Sequence, residues 1–87
     1  MSDIAFYCRV CGFGLEYSPW GEDGASPTYE FCPCCGCEFG NHDYTIESVR
    51  RFRKHWLDNG AKWFYAPEKP TSWDLEKQLL NVEENYI

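Results

Sequence analysis

The stretch Phe31–Gly40 reads FCPCCGCEFG and places four cysteines within six positions, whereas the rest of the chain contains only Cys8 and Cys11. A Cys-x-x-Cys pair in a tight turn can present two thiolates to one metal ion. Two such pairs in a short chain favour a fold that a metal holds together. The central question is therefore which four of the six cysteines would bind the metal.

The two cysteine segments share one sequence frame. YCRVCGF at residues 7–13 and FCPCCGC at residues 31–37 both read aromatic-Cys-x-x-Cys-Gly. The glycine can adopt the positive φ that such turns often need. The resulting spacing, C-x2-C-x20-C-x2-C, lies in the range of zinc sites made of four thiolates. The frame predicts one Zn²⁺ ion with the ligands Cys8, Cys11, Cys32 and Cys35.

The two remaining cysteines occupy apolar positions of this frame. Cys34 aligns with Val10 and Cys37 aligns with Phe13, which suits free cysteines that are buried as small hydrophobic residues. Three alternatives remain open. The shifted pair Cys34-x-x-Cys37 also has ligand spacing, although no glycine follows it. A binuclear site could use all six cysteines and His42. A pair could instead cycle as a dithiol, although the βαβ pattern of thioredoxin-like proteins is missing.

Short strands are expected around the cysteines. Residues 5–17 alternate apolar and small side chains, as in a short hairpin, and residues 18–27 form a loop rich in Gly, Pro, Ser and Asp. The predicted fold class is small α+β in a single domain. Residues 1–44 form a zinc-ribbon or rubredoxin-like pair of knuckles with short β-strands, and residues 45–87 form two α-helices packed on it.

The helical part shows a change of apolar period after Thr45, which is a candidate N-cap, and this period continues to a stop signal at Asn59. A second helix is expected after Thr71 or Ser72, since either hydroxyl can cap its N-terminus. Residues 83–87 are expected to fray.

Charge and composition limit the classes of partner. The 87 residues include 14 acidic and 8 basic side chains, giving a net charge of −6, and four thiolates around one Zn²⁺ would add about −2. Such a field disfavours duplex nucleic acid and favours a basic protein partner. Residues 1–20 lack the pattern of a signal peptide and no apolar run has the length of a membrane span, so a cytoplasmic protein is expected.

Residues 19–40, PWGEDGASPTYEFCPCCGCEFG, resemble a group of small uncharacterised bacterial proteins, the cysteine-rich CPCC type. The resemblance continues through a helix into a WF…KP..W.L..QL pattern and extends from Cys8 to Leu80. It implies a zinc-ribbon or rubredoxin-like metal site and supplies no activity. The chain departs from the pattern at Cys37, where the family has an aromatic or aliphatic residue.

Aromatic and basic side chains outside the knuckles have two possible roles each. Trp20 and the run Trp63–Tyr65 lie in connectors and are candidate exposed anchors, although core packing is the commoner role. The basic run Arg50–His55 is expected to form a solvated helix face.

The sequence favours a binding protein over an enzyme. No Ser-His-Asp or Cys-His arrangement can be argued from spacing, and four cysteine ligands leave no open coordination position. The predicted function is a structural zinc-binding protein that acts as a protein–protein interaction module. Two alternatives are an immunity or antitoxin protein that neutralises a basic toxin such as a nuclease, and a metal-dependent redox protein.

Overall fold

The computed structural model describes residues 6–87 and contains one two-stranded antiparallel sheet. Strand β1 is Phe6–Tyr7 and strand β2 is Gly14–Leu15, with Phe6 opposite Leu15 and Tyr7 opposite Gly14. This is the hairpin predicted for residues 5–17, of which residue 5 lies outside the described residues. Within the described part of the chain each strand spans two residues, and the connection between them, residues 8–13, is the first cysteine knuckle.

The second knuckle repeats the backbone geometry of the first. In each, the amide of the first cysteine donates to the carbonyl five residues later, and the glycine amide donates to the carbonyl of the first cysteine. These two distances are 3.0 and 2.9 Å in the first knuckle and both 2.9 Å in the second. The glycines, Gly12 and Gly36, have φ of 81° and 80°. The shared sequence frame therefore corresponds to a shared local structure, as the left-handed glycine conformation allows.

Helix α1 spans Ile46–Asp58 and confirms the prediction for this segment. Its N-terminus has a reciprocal capping box: the Ser48 amide donates to Thr45 Oγ1 and the Thr45 amide donates to Ser48 Oγ, both at 3.0 Å. The buried side chains of this helix are Val49 and Trp56.

Helix α2 begins later than expected. It spans Leu75–Leu79, and its N-cap is Asp74, whose carboxylate accepts from the Lys77 amide at 3.2 Å. The prediction of Thr71 or Ser72 as the cap was wrong. The physical reason is the turn closed by the hydrogen bond from the Trp73 amide to the Pro70 carbonyl at 3.3 Å, which delays helix entry.

The last described segment packs on α1, so the prediction that residues 83–87 fray was wrong. Residues Glu84–Tyr86 form a 3₁₀ turn. Arg53 Nη2 donates to the Tyr86 carbonyl at 2.6 Å, and Arg50 Nε donates to the Ile87 carbonyl at 2.7 Å. Two arginines of one helix thus satisfy backbone carbonyls that would otherwise face water. Across the described residues, no helix has the length and apolar character needed to cross a membrane.

The core is built around the cysteines. All six are buried, and they form one cluster with Val10, Phe39, Val49, Trp56 and Ala61. Side chains of the helix and of the knuckles therefore share one core, and a change at the cysteines is a change in the centre of the protein.

Candidate metal centre

Four cysteine sulfurs from the two knuckles lie together in the core. Sγ of Cys8 is 3.7 Å from Sγ of Cys35, and Sγ of Cys11 is 3.7 Å from Sγ of Cys32. All four sulfurs lie within 4.8 Å of one another. A tetrahedron with metal–sulfur bonds of about 2.3 Å has edges of about 3.8 Å, so the four sulfurs fit a tetrahedral metal ion. The structure thus brings together the four residues predicted from the sequence frame, and this cluster could bind a metal.

Each of the two close sulfur pairs joins one knuckle to the other. A metal held by the four thiolates would therefore tie residues 8–11 to residues 32–35 and close the intervening loop. Closing a long loop restricts the unfolded chain, which is one way in which a cross-link stabilises a small domain.

Protons compete for the same sulfurs. Burial is the largest effect on the thiols of Cys11 and Cys35 and raises the pKa of each well above the usual value. Burial also acts to raise the pKa of Cys8, but hydrogen bonds from the neighbouring thiols outweigh it and lower the pKa of Cys8. Because a metal binds thiolates, metal binding at this cluster would release protons and would weaken as the pH falls.

The two other cysteines lie beside the cluster. Both side chains are fully buried. Within residues 6–87, neither sulfur belongs to the cluster of four sulfurs that lie within 4.8 Å of one another. The pKa of Cys37 is raised: a hydrogen bond with Cys35 lowers it, but Cys8 and burial outweigh that effect. Cys37 has the position in the second knuckle that Phe13 has in the first, and a neutral thiol suits such an apolar position. Cys34 accepts a hydrogen bond from Gln78 Nε2 at 3.3 Å.

Gln78 on α2 links the two knuckles and was not singled out from the sequence. Its Nε2 also donates to the Cys11 carbonyl at 3.1 Å, while its Oε1 accepts from Trp73 Nε1 at 2.7 Å. One amide side chain thus contacts both cysteine segments. Apolar periodicity treats a glutamine on a helix as solvent-facing, so it gives no sign of this role. The signal that could have found Gln78 is its place in the QL pair of the sequence pattern.

Arg53 fixes the first knuckle from the other side. Its Nε donates to the Val10 carbonyl at 2.6 Å and its Nη2 donates to the Arg9 carbonyl at 3.0 Å. The side chain is half-buried, and burial lowers the pKa of its guanidinium. The prediction of a solvated basic face was therefore wrong for Arg53, because its Nε and Nη2 groups donate to two carbonyls of the knuckle turn.

Trp20 is buried, which excludes it as an exposed anchor. Its side chain is 7% exposed, and its Nε1 donates to Asp43 Oδ2 at 2.9 Å. The Gly40 amide donates to Asp43 Oδ1 at 2.7 Å, and the Arg9 guanidinium lies 4.0 Å from the centre of the Trp20 ring. Asp43 is fully buried, and burial raises the pKa of its carboxyl despite these hydrogen bonds. This network holds Trp20, and with it the loop of residues 18–27, beside the first knuckle.

The run Trp63–Tyr65 divides between core and surface. Trp63 packs edge-on against Phe13 and Trp73, each with a centroid distance of 5.4 Å. Phe64 and Tyr65 are 61% and 53% exposed.

His42 has a structural environment of its own. Its Nδ1 accepts a hydrogen bond from the Glu38 amide at 2.9 Å, and its ring lies 4.6 Å from that of Phe52. In the part of the chain that the structure describes, His42 is not a member of the four-sulfur cluster.

Comparisons with known proteins give two similar sequences. The chain is 34% identical to the uncharacterized protein YozI of Bacillus subtilis strain 168, over 66% of this chain and 60% of that protein. It is 33% identical to the uncharacterized protein YoaQ of the same strain, over 69% of this chain and 64% of that protein. The matches thus span about three fifths of the length of these curated relatives. They support a relation to a small group of uncharacterised bacterial proteins.

Two other comparisons are negative. No family model matches the chain, and no solved structure matches it.

Proposed function

We propose that this protein is a structural zinc-binding module that works by binding another protein. Cys8, Cys11, Cys32 and Cys35 would be the ligands of one Zn²⁺ ion. The observation that carries the proposal is the group of four buried sulfurs, whose two cross-knuckle distances of 3.7 Å match the edge of a tetrahedral thiolate site.

Zinc is the metal that we propose for this site. Four thiolates in tetrahedral geometry suit zinc or iron among the common metals. In structural zinc sites all four positions are filled by the protein, and such sites supply folding free energy directly. The apparent binding free energy of such a site is on the order of 10 kcal/mol at neutral pH, which is comparable to the whole stability of a small domain.

A filled metal site also supports a binding role over a catalytic one. A catalytic zinc keeps a position for water or substrate, and four thiolates leave none. We therefore propose no enzymatic activity for the protein. In this proposal the zinc-ribbon-like region of residues 1–44 and the helices of residues 45–87 form one scaffold of the CPCC type. Its thiolates are suited to a reducing compartment such as the cytoplasm.

The proposed partner is a basic protein. Phe64 and Tyr65 present large aromatic surface to solvent, and aromatic side chains are frequent energetic centres of interfaces. The net charge of −6, made more negative by a thiolate-bound zinc, favours a positively charged partner and repels duplex nucleic acid.

Metal analysis of the intact chain tests the proposal. The protein is purified from its host under reducing conditions, and metal content and near-UV circular dichroism are measured before and after chelation. We expect one zinc per chain and loss of near-UV signal on chelation. Native mass spectrometry that shows a folded, metal-free chain would contradict the metal part.

Serine variants locate the ligands. We expect Cys32→Ser to lose zinc, whereas Cys34→Ser, a buried cysteine of the same segment, retains it. Loss of zinc only in Cys34→Ser or Cys37→Ser would show that the ligand assignment is wrong. Affinity capture from the host at low and high salt tests the partner. We expect a basic protein whose recovery falls as salt rises.

A further inference from the structure

A surface groove lined by aromatic and acidic side chains lies beside the second knuckle. Its volume is about 320 Å³. Its principal side chains are Tyr17, Glu30, Phe31, Phe64, Tyr65 and Glu68.

The aromatic wall is a stacked pair that the knuckle holds in place. The rings of Phe31 and Phe64 are 5.6 Å apart at an interplanar angle of 12°, and both side chains are about half-exposed, at 48% and 61%. The Phe64 amide donates to the Cys34 carbonyl at 3.0 Å, and the next amide, of Tyr65, donates to the Pro33 carbonyl at 2.8 Å. The connector is thereby joined to the second knuckle through its backbone.

Gly36 of the second knuckle allows the stacked pair to pack closely against the turn. A Cβ atom at this position would lie 2.9 Å from Cδ1 of Phe64, so the phenyl ring rests directly on the glycine. The stacked pair is therefore organised before any partner arrives, which lowers the entropic cost of binding.

The two acidic side chains of the groove are free to pair with a cation. Among residues 6–87, the carboxylates of Glu30 and Glu68 have neither an ion pair nor a side-chain hydrogen bond, and the described ion pair, Lys54–Asp58, involves two other exposed residues. The groove has a negative field: burial raises the pKa of Tyr17, and the negative charges of Glu30, of the Cys32 and Cys8 sulfurs and of Glu68 raise it further.

We propose that this groove binds an arginine side chain from a basic segment of the partner protein. A planar guanidinium can stack on an aromatic face and donate paired N–H bonds to a carboxylate at the same time. The groove offers both groups: the stacked Phe31–Phe64 pair and the carboxylates of Glu30 and Glu68. The inference rests on the proposed function, because it names the chemistry of the basic partner and the surface that recognises it.

Other occupants fit this surface less well. Phosphate or an acidic peptide would meet two unpaired carboxylates, and the nearby thiolate-bound zinc would add about two negative charges. The ammonium group of lysine satisfies the charge but lacks the flat, weakly hydrated face that stacks on an aromatic pair.

Peptide titration of the metal-loaded full chain tests the groove. The probes are a capped five-residue Gly/Arg peptide with two arginines, the same peptide with lysines, and a phosphorylated Gly/Ser peptide, each followed by amide chemical shifts in ¹⁵N-labelled protein. We expect the arginine peptide to shift the amides of residues 30–31, 64–65 and 68, and to bind more tightly than the lysine peptide. Shifts centred elsewhere, equal binding of lysine, or preferred binding of the phosphopeptide would each overturn the proposal.

Matched variants separate the groove from general charge and aromatic content. We expect Glu30→Gln and Glu68→Gln each to weaken arginine-peptide binding about two- to fivefold, whereas Glu22→Gln, an exposed loop glutamate outside the groove, leaves it unchanged. Phe64→Ala should weaken binding about fivefold or more, and Tyr44→Ala, an aromatic that is 68% exposed outside the groove, should not. Equal losses in groove and control variants would refute the site.

The two proposals fail in different ways. Unchanged zinc content in Phe64→Ala establishes that its effect is not loss of the fold. If the arginine peptide leaves the groove amides unshifted while zinc content and salt-sensitive capture of a basic protein stand, the groove proposal is wrong and the interaction module is supported. If the wild-type chain captures no basic protein, the proposed function itself is wrong.

Discussion

The turn of the first knuckle has no room for a side chain at Gly12, which predicts a large and specific effect of Gly12→Ala. A Cβ built at this position overlaps with the backbone carbonyl oxygen of Gln78 and lies 3.3 Å from Cβ of Asn81. The overlapping atom belongs to the backbone of α2, so a rotamer change cannot relieve it. Either the helix or the knuckle must move.

The magnitude has two parts. Gly12 has φ of 81°, and alanine in this left-handed conformation costs about 1 kcal/mol. Steric overlap in a packed interior adds about 1–3 kcal/mol. Gly24 has a similar φ of 72°, but an added Cβ there would have no neighbour within 4 Å. We therefore expect Gly24→Ala to lower the free energy of unfolding by about 1 kcal/mol and Gly12→Ala by about 2–4 kcal/mol.

Urea unfolding of the two variants and the wild type, all metal-loaded and at one protein concentration, measures this difference. The transition midpoints and slopes give the free energies of unfolding. Zinc content is measured on the same samples. Equal destabilisation by Gly12→Ala and Gly24→Ala would refute the inference that α2 packs directly against the first knuckle.

The remaining predictions concern contacts and protons around the knuckles. Arg53→Met should lower the free energy of unfolding by about 2–4 kcal/mol, because three backbone carbonyls lose a charged donor, whereas Arg50→Met, on the exposed side of the helix, should cost less than about 1 kcal/mol. Trp20→Phe should raise the pKa of Asp43 further, which a carboxyl ¹³C titration measures; an unchanged pKa would contradict the assigned hydrogen bond. Because burial already raises the pKa of Asp43, the stability from this carboxyl is complete below its unfolded-state pKa and is lost as the pH rises through the folded-state pKa. Zinc retention, unlike the stability from Asp43, should fall as the pH is lowered, since protons displace the metal from the thiolates. A zinc content that does not change from neutral to acidic pH would argue against thiolate ligands.

Local sequence signals predicted the knuckles and α1 well. The repeated frame with Gly12 and Gly36 specifies two similar turns, and the cap at Thr45 with a helical period specifies a helix start. Each of these features depends on residues within one turn or one helix. Their physical causes can be evaluated without the rest of the chain.

Features that depend on distant partners were not predictable in this way. Gln78 and Arg53 are polar residues on helices, and their roles come from carbonyls and a thiol more than 30 positions away. The division of the connector aromatics, with Trp20 buried on Asp43 and Phe64 exposed, likewise depends on tertiary contacts. Aromatic content alone does not determine which rings face solvent.

X-ray absorption at the zinc K-edge tests the central claim most directly. The sample is the metal-loaded double variant Cys34→Ser/Cys37→Ser, in which the cysteines left are Cys8, Cys11, Cys32 and Cys35. We predict a first shell of four sulfur atoms at about 2.3 Å, as in tetrahedral thiolate sites. A first shell with fewer than four sulfurs, or with nitrogen or oxygen in their place, would contradict the account.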